Sequence, residues 1–181
     1  MPPEPTPEDG HVLRWYACYT RARSEKKVAG RLTAKGLATY VPLIPRERQW
    51  ADRRKIVQWP AFPSYVFCRF GDADYRDIIV TPGIASIVTH DGRPAAIPDE
   101  EIENVRRFVE GVAESGLEPE PAPEFHEGQP VRVTRGPFRG VEGFVREVRG
   151  RRRLLVGIRR IGHLLEVDIP VDALEPRSPA P

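Results

Sequence analysis

Histidine and cysteine are the side chains of this chain best suited to nucleophilic or metal chemistry, and neither is arranged for it. The four histidines (His11, His90, His126, His163) are scattered, and Cys18 and Cys68 have no Cys or His neighbour at ligand spacing. No phosphate-binding glycine loop, dinucleotide fingerprint or nucleophile elbow occurs. An enzyme is not expected, and neither a cofactor nor a metal is implied. The chemistry that remains is recognition by rings and cations. "WPAFPSYVFCRF" (Trp59–Phe70) has five aromatic residues in twelve, with prolines flanking Phe62. Ahead of it stand Arg21, Arg23, Lys26, Lys27, Arg46, Arg48, Arg53, Arg54 and Lys55, with Trp50 among the last five. Rings with a polar handle suit a protein interface. Clustered cations suit phosphate, and a ring among them suits stacking on a single strand.

The formal charge of +2 conceals blocks of opposite sign. Residues 12–70 carry 13 Lys/Arg against 3 Asp/Glu, residues 71–126 carry 4 against 13, and residues 127–176 carry 10 against 7. The first block faces either a polyanion or the acidic block of the same fold. Two cysteines are too few for a disulfide framework, and "MPPEPTPEDGHV" has neither a basic nor an apolar leader segment. No apolar run reaches spanning length, so no membrane association is expected. A cytoplasmic monomer is the expectation.

The elements that must hold these side chains are legible as patterns. Residues 1–10 read as a disordered tail, 11–116 as one domain, 117–126 as an extended Pro/Glu linker, 127–176 as a second domain and 177–181 as a tail. In the first domain, "RWYACYT" reads as a strand and "ARSEKKVAGRLTAKG" as a helix stopped by Gly36. "ATYVPLIPRERQW" and "RKIVQWPA" read as a hairpin, and "SYVFCRF" as a strand. Alternation puts Tyr65 and Phe67 on one face of that strand, and Val66 and Cys68 on the other. The ring face is taken as the interface. "DADYRDIIVT" reads as a short helix and "IASIVTH-DGR-PAAI" as strand, turn and strand. "PDEEIENVRRFVEGVAESG" reads as a helix with an acidic first turn and a stripe of Ile102, Val105, Phe108, Val109 and Val112. The second domain holds four or five short strands between turns, the pattern of a small barrel. The fold class is α+β, an antiparallel sheet with flanking helices linked to a small C-terminal β-barrel.

In this order the motifs resemble the NusG family of transcription elongation and antitermination factors along almost the whole chain. "WYACYT", the helix with Glu25, "FPSYVF", "TPGIASIV" and "IPDEEI" match the N-terminal domain, and "EGQPVRVTRGPFRGVEGFVREV" resembles a KOW motif. The resemblance implies that Tyr16, Phe62, Pro63, Tyr65 and Phe67 grip the clamp helices of the RNA polymerase β′ subunit. It implies that Asp74, Tyr75 and Arg76 reach the β gate loop, and that the basic residues and Trp50 contact non-template DNA or nascent RNA. Phe138 and Ile161 would bind a partner such as ribosomal protein S10. Arg160 stands where housekeeping members have an apolar residue, which weakens the case for Rho. Ser64 in place of the family's glycine and the hairpin "RERQWADRRKIVQWPAF" point to a specialised antiterminator like RfaH, UpxY or LoaP rather than a housekeeping member. The rival reading is an RNA- or ribosome-binding KOW protein that never meets polymerase. Gly136, Pro137, Gly140, Gly143 and Gly150 disfavour a helical C-terminal domain. A β fold, an uncovered ring face and independently moving domains are therefore expected.

Overall fold

The computed structural model describes residues 12–50, 53–122, 128–148 and 150–177. The expected tail at 1–10, linker residues 123–126, His11 and His126 lie outside these, as does all but Arg177 of the C-terminal tail. The first domain is built on a four-stranded sheet in the order β2-β5-β1-β6, formed by β1 (Arg14–Thr20), β2 (Ala38–Tyr40), β5 (Tyr65–Phe70) and β6 (Ile84–Ile87). The central pair is antiparallel, with Tyr19 opposite Tyr65, Ala17 opposite Phe67 and Tyr16 opposite Cys68. Directly opposed residues share a face, so the register sorts the side chains into two cores.

Helix α1 (Glu25–Ala34) buries Val28 and Leu32 on one face of the sheet, with Tyr16, Cys18, Val66, Cys68 and Phe70. Ile78 of the short α2 (Tyr75–Ile79) closes that core. Helix α3 (Asp99–Ser115) joins the other core, which holds Trp15, Ala17, Phe62 and Phe67. Asp99, Glu100 and Glu101 in its first turn complement the helix dipole, and Gly116, with φ of 68°, ends it in the left-handed region. Two strand pairs stand apart from the sheet: the hairpin β3 (Leu43–Trp50) with β4 (Arg53–Pro60), and the two-residue pair β7 (Thr89–His90) with β8 (Arg93–Pro94).

The second domain is a six-stranded antiparallel sheet in the order β14-β10-β11-β12-β13-β9. Its strands are β10 (Gln129–Val133), β11 (Glu142–Val148), β12 (Arg151–Ile158), β13 (His163–Asp168) and β14 (Leu174–Pro176), with β9 (Glu120–Ala122) at the outer edge. Close strand pairing uses two glycines: a Cβ on Gly143 would lie 2.3 Å from the Leu155 carbonyl oxygen, and one on Gly157 2.1 Å from that of His163. The expected β architecture of this domain is present. The linker differs from a free tether, because Glu120–Ala122 pairs with β13 through residues 164–166. Pro121 is tolerated there because an edge strand needs fewer N–H donors.

Candidate functional site

Strand register redraws the ring cluster. Tyr16 packs on Phe70 at 4.3 Å in the α1 core, the face opposite to Tyr65. Phe67 is 0% and Phe62 1% exposed, and their rings meet edge to face at 5.9 Å in the α3 core. The expectation that Phe62, Phe67 and Tyr16 line an open surface is thus corrected. The small Ala17 opposite Phe67 leaves room for its ring, and α3 belongs to the same covered core. Pro63 is exposed and Tyr65 half-buried. A ring that the sequence reading passed over joins them: Tyr19, 43% exposed, stands directly opposite Tyr65 at 5.3 Å between ring centroids. Alternation along Trp15, Ala17 and Tyr19 carries that signal, since these three share a face and Tyr16 does not. Burial, then the neighbouring Tyr19, pushes the Tyr65 hydroxyl above its usual range, so the Tyr65 ring remains a neutral hydrogen-bonding group.

The loop that presents Pro63 and Tyr65 is fixed from below. Ser64 has φ of 66°, a conformation that favours glycine. Its N–H donates to Oε1 of the buried Glu25 at 2.7 Å, and its carbonyl accepts from the Thr20 N–H at 2.8 Å. Glu25 therefore secures the turn from which the ring pair projects.

The hairpin sorts its cations just as strictly. The pairs Ile44–Trp59, Arg46–Val57 and Arg48–Lys55 stand opposite one another. Period-two alternation then places Arg46, Arg48, Arg53, Lys55 and Trp59 on one face and Glu47 and Arg54 on the other. The guanidinium groups of Arg48 and Arg46 lie over the Trp59 ring at 4.9 and 5.8 Å. Arg54 pairs instead with Glu47 at 3.4 Å, both exposed. The Trp50 side chain lies outside the described residues; among those described in the hairpin, the ring under cations is Trp59. Lys26 of α1 donates to the Gln58 carbonyl at 3.2 Å and so joins the hairpin. Lys27 is exposed on the same helix, while Arg21 and Arg23 are exposed in the turn before it.

Tyr75 and Arg76 are exposed at the start of α2, where Asp74 is partly withdrawn because its Oδ2 accepts the Gly71 N–H at 3.0 Å. Cys18 and Cys68 are buried free thiols. Burial pushes Cys68 up to about 12 and Cys18 still higher, which removes them as nucleophiles at neutral pH. No group of His, Cys, Asp or Glu suited to a metal occurs among the described residues. No described helix is long and apolar enough to cross a membrane.

The two domains meet along one stripe of α3, contrary to the expectation of independent motion. Asn104 Nδ2 donates to the Glu142 carbonyl at 2.6 Å, and the Glu142 N–H donates to Asn104 Oδ1 at 2.7 Å. Phe108 packs on Phe138 at 5.6 Å. Gly111 abuts the same ring, and a Cβ there would come within 2.5 Å of it. Glu101 accepts from the Arg159 backbone; burial raises its carboxyl above the usual range and this contact opposes the rise. Phe138 is consequently buried and Ile161 half-buried. At the other end His163 caps the Tyr65 ring at 5.2 Å, edge to face. The candidate surfaces of both domains thus cover one another in part.

Residues 13–106 match the family model described as transcription termination factor NusG. The chain is 28% identical over 166 residues to the transcription termination/antitermination protein NusG of Thermus thermophilus, covering 81% of this chain and 90% of that protein. It is 31% identical over 119 residues to NusG of Escherichia coli K12, covering 63% and 64% of the two chains. A solved structure concerning domain interaction in Thermotoga maritima NusG aligns with 92% of this chain and 98% of that one, at 22% identity and a TM-score of 0.48.

Proposed function

This chain belongs to the NusG family of transcription termination/antitermination factors, and from that premise we propose that it rides on transcribing RNA polymerase and suppresses pausing and termination on selected operons. Its N-terminal domain holds the polymerase clamp helices through Tyr19, Pro63 and Tyr65. The cation face of the β3–β4 hairpin lies along nucleic acid, and the start of α2 contacts the gate loop. The C-terminal domain recruits a partner such as ribosomal protein S10 through Phe138 and Ile161.

The observation that carries this reading is the Tyr19–Tyr65 pair beside Pro63. Two tyrosine rings project from the sheet end beside a turn secured by Glu25. Rigid aromatic groups with polar tips are the usual anchors of protein interfaces and lose little entropy on binding. Phe62 and Phe67 support the pair from beneath. Separation of the domains is part of the cycle, because Phe138 and Tyr65 are each covered by the other domain.

The test is co-purification with RNA polymerase. Tyr19→Ala with Tyr65→Ala is expected to lose polymerase while keeping its melting transition, since both rings are partly exposed. Undiminished co-purification of that folded variant would refute the assignment. A factor that instead follows ribosomes and ignores polymerase would support the RNA- or ribosome-binding alternative.

A further inference from the structure

The linker is held from both sides. After Gly116 the chain runs along the free edge of β3, where the Glu47 N–H donates to Glu118 Oε1 at 3.2 Å. The Arg46 guanidinium donates to the carbonyl of the buried Pro119 at 3.5 Å. From the next residue the chain is the outer strand of the second domain, and Glu120 receives Arg153 at 2.7 Å. Six residues thereby tie the basic hairpin to the edge of the C-terminal sheet.

We propose that Glu118 is an internal competitor for the basic hairpin, so that a phosphodiester strand seated on the hairpin releases the linker and favours separation of the two domains. This rests on the reading of the hairpin as a nucleic-acid surface. Arg46 has one guanidinium, already directed partly to Pro119, and it stands on the cation face with Arg48, Arg53 and Lys55. A phosphate approaching that face meets the Glu118 carboxylate at the adjoining edge, and the two like charges repel. Glu118 is exposed, so its departure leaves no buried charge behind. Once Glu118 and Pro119 leave β3, the three-residue β9 with a proline at its centre is held, among the described residues, by β13 and Arg153. Such a short edge strand is the first element of a sheet to open. The coupling is reciprocal: whatever closes the linker on the hairpin weakens nucleic-acid binding by the same factor.

Amide hydrogen exchange of the full-length chain tests this with a single-stranded DNA 20-mer and with RNA of the same sequence. Either strand is expected to slow exchange in residues 43–60 and to speed it in residues 117–122 and 164–166. Glu118→Ala is expected to bind the strands several-fold tighter at low salt, the gain shrinking as the Debye length falls. A protected hairpin with unchanged or slowed exchange in the linker, or equal affinity of Glu118→Ala, overturns the competitor while leaving the hairpin's nucleic-acid role in place. Absence of binding by both DNA and RNA overturns that role as well.

Discussion

Gly111→Ala should stabilise the first domain and open the protein in one step. A helix interior gains about 1 kcal/mol when Gly becomes Ala, so α3 by itself should be firmer. The added methyl, however, would sit 2.5 Å from Cδ1 of Phe138 and 2.8 Å from the Pro137 carbonyl oxygen. The ring can turn aside; the backbone oxygen can recede only if the β10–β11 connection moves with it. That shift acts on the contacts nearest it. The reciprocal Asn104–Glu142 bonds contribute about 0.5–1.5 kcal/mol each, and the Phe108–Phe138 pair a similar amount beyond its buried area. Losing even half of this lowers the closed-to-open ratio by roughly tenfold for each 1.4 kcal/mol. Nuclear magnetic resonance reads the change directly. The Asn104 side-chain amide and the Glu142 amide should move to the positions of the separated domains, and the domains should tumble faster. If both signals stay in place and tumbling is unaltered, α3 does not hold the C-terminal domain through Gly111 and the description of this contact fails.

Phe67→Ala should cost the N-terminal domain about 3–5 kcal/mol in chemical denaturation, as expected for an aromatic ring removed from a core. A loss below 1 kcal/mol would return Phe67 to the surface. Replacing Arg48, Arg53 and Lys55 by Ala should lower the salt slope of nucleic-acid binding by up to about 0.7 to 0.9 per phosphate contact removed. Arg54→Ala, on the other face, should leave the slope nearly unchanged; an equal effect from both would contradict the sorting of the hairpin. Ser64→Gly should be neutral to stabilising by about 1 kcal/mol, because relief of a left-handed residue is offset by the flexibility of glycine when unfolded; a clear loss on thermal melting would show that the Ser64 side chain contributes to the turn. Burial raises the Glu101 carboxyl in the closed form, opposed by the Arg159 backbone bond and the charges of Arg159 and Arg160. The closed form therefore binds the proton more tightly than the open one. Closure should be strongest below the ordinary carboxylate pKa, weaken as pH rises through the raised value, and level off above it; a rise in closure with pH, followed by the Glu142 amide signal, would reverse the assignment.

Periodicity made most of the fold legible and misplaced part of the site. The helix with Gly116 at its end, the β3–β4 hairpin and the glycine-punctuated strands of the second domain follow from turn residues and alternation, which act locally. The ring cluster does not, because composition says that rings are present but not which partner strand stands opposite. The family motif points to Tyr16, but only Tyr19 shares a parity with Tyr65 once β1 and β5 are paired. Alternation puts Phe67 on the surface only if one face of its strand is open, and this sheet is covered on both faces. In the hairpin the cations were read as one group; the register divides them and brings Trp59 beneath Arg46 and Arg48.

The domain contact escaped the sequence for a sharper reason. The apolar stripe of α3 at Ile102, Val105, Phe108, Val109 and Val112 satisfies the helical pattern completely, and it lies in a core that runs on from the first domain into the second. Around Phe108 of that stripe, the contact with the second domain adds Glu101, Asn104 and Gly111, with the same spacing of three and four. The added positions hold an acid, an amide and a glycine, so the hydropathy pattern marks Phe108 as buried but not what it is buried against. They work by shape and hydrogen bonding: Gly111 makes the notch, Phe138 fills it, and Asn104 bonds both backbone groups of Glu142. The apolar core continues across this contact, while its polar groups, Glu101 and Asn104, can return to water if the domains part.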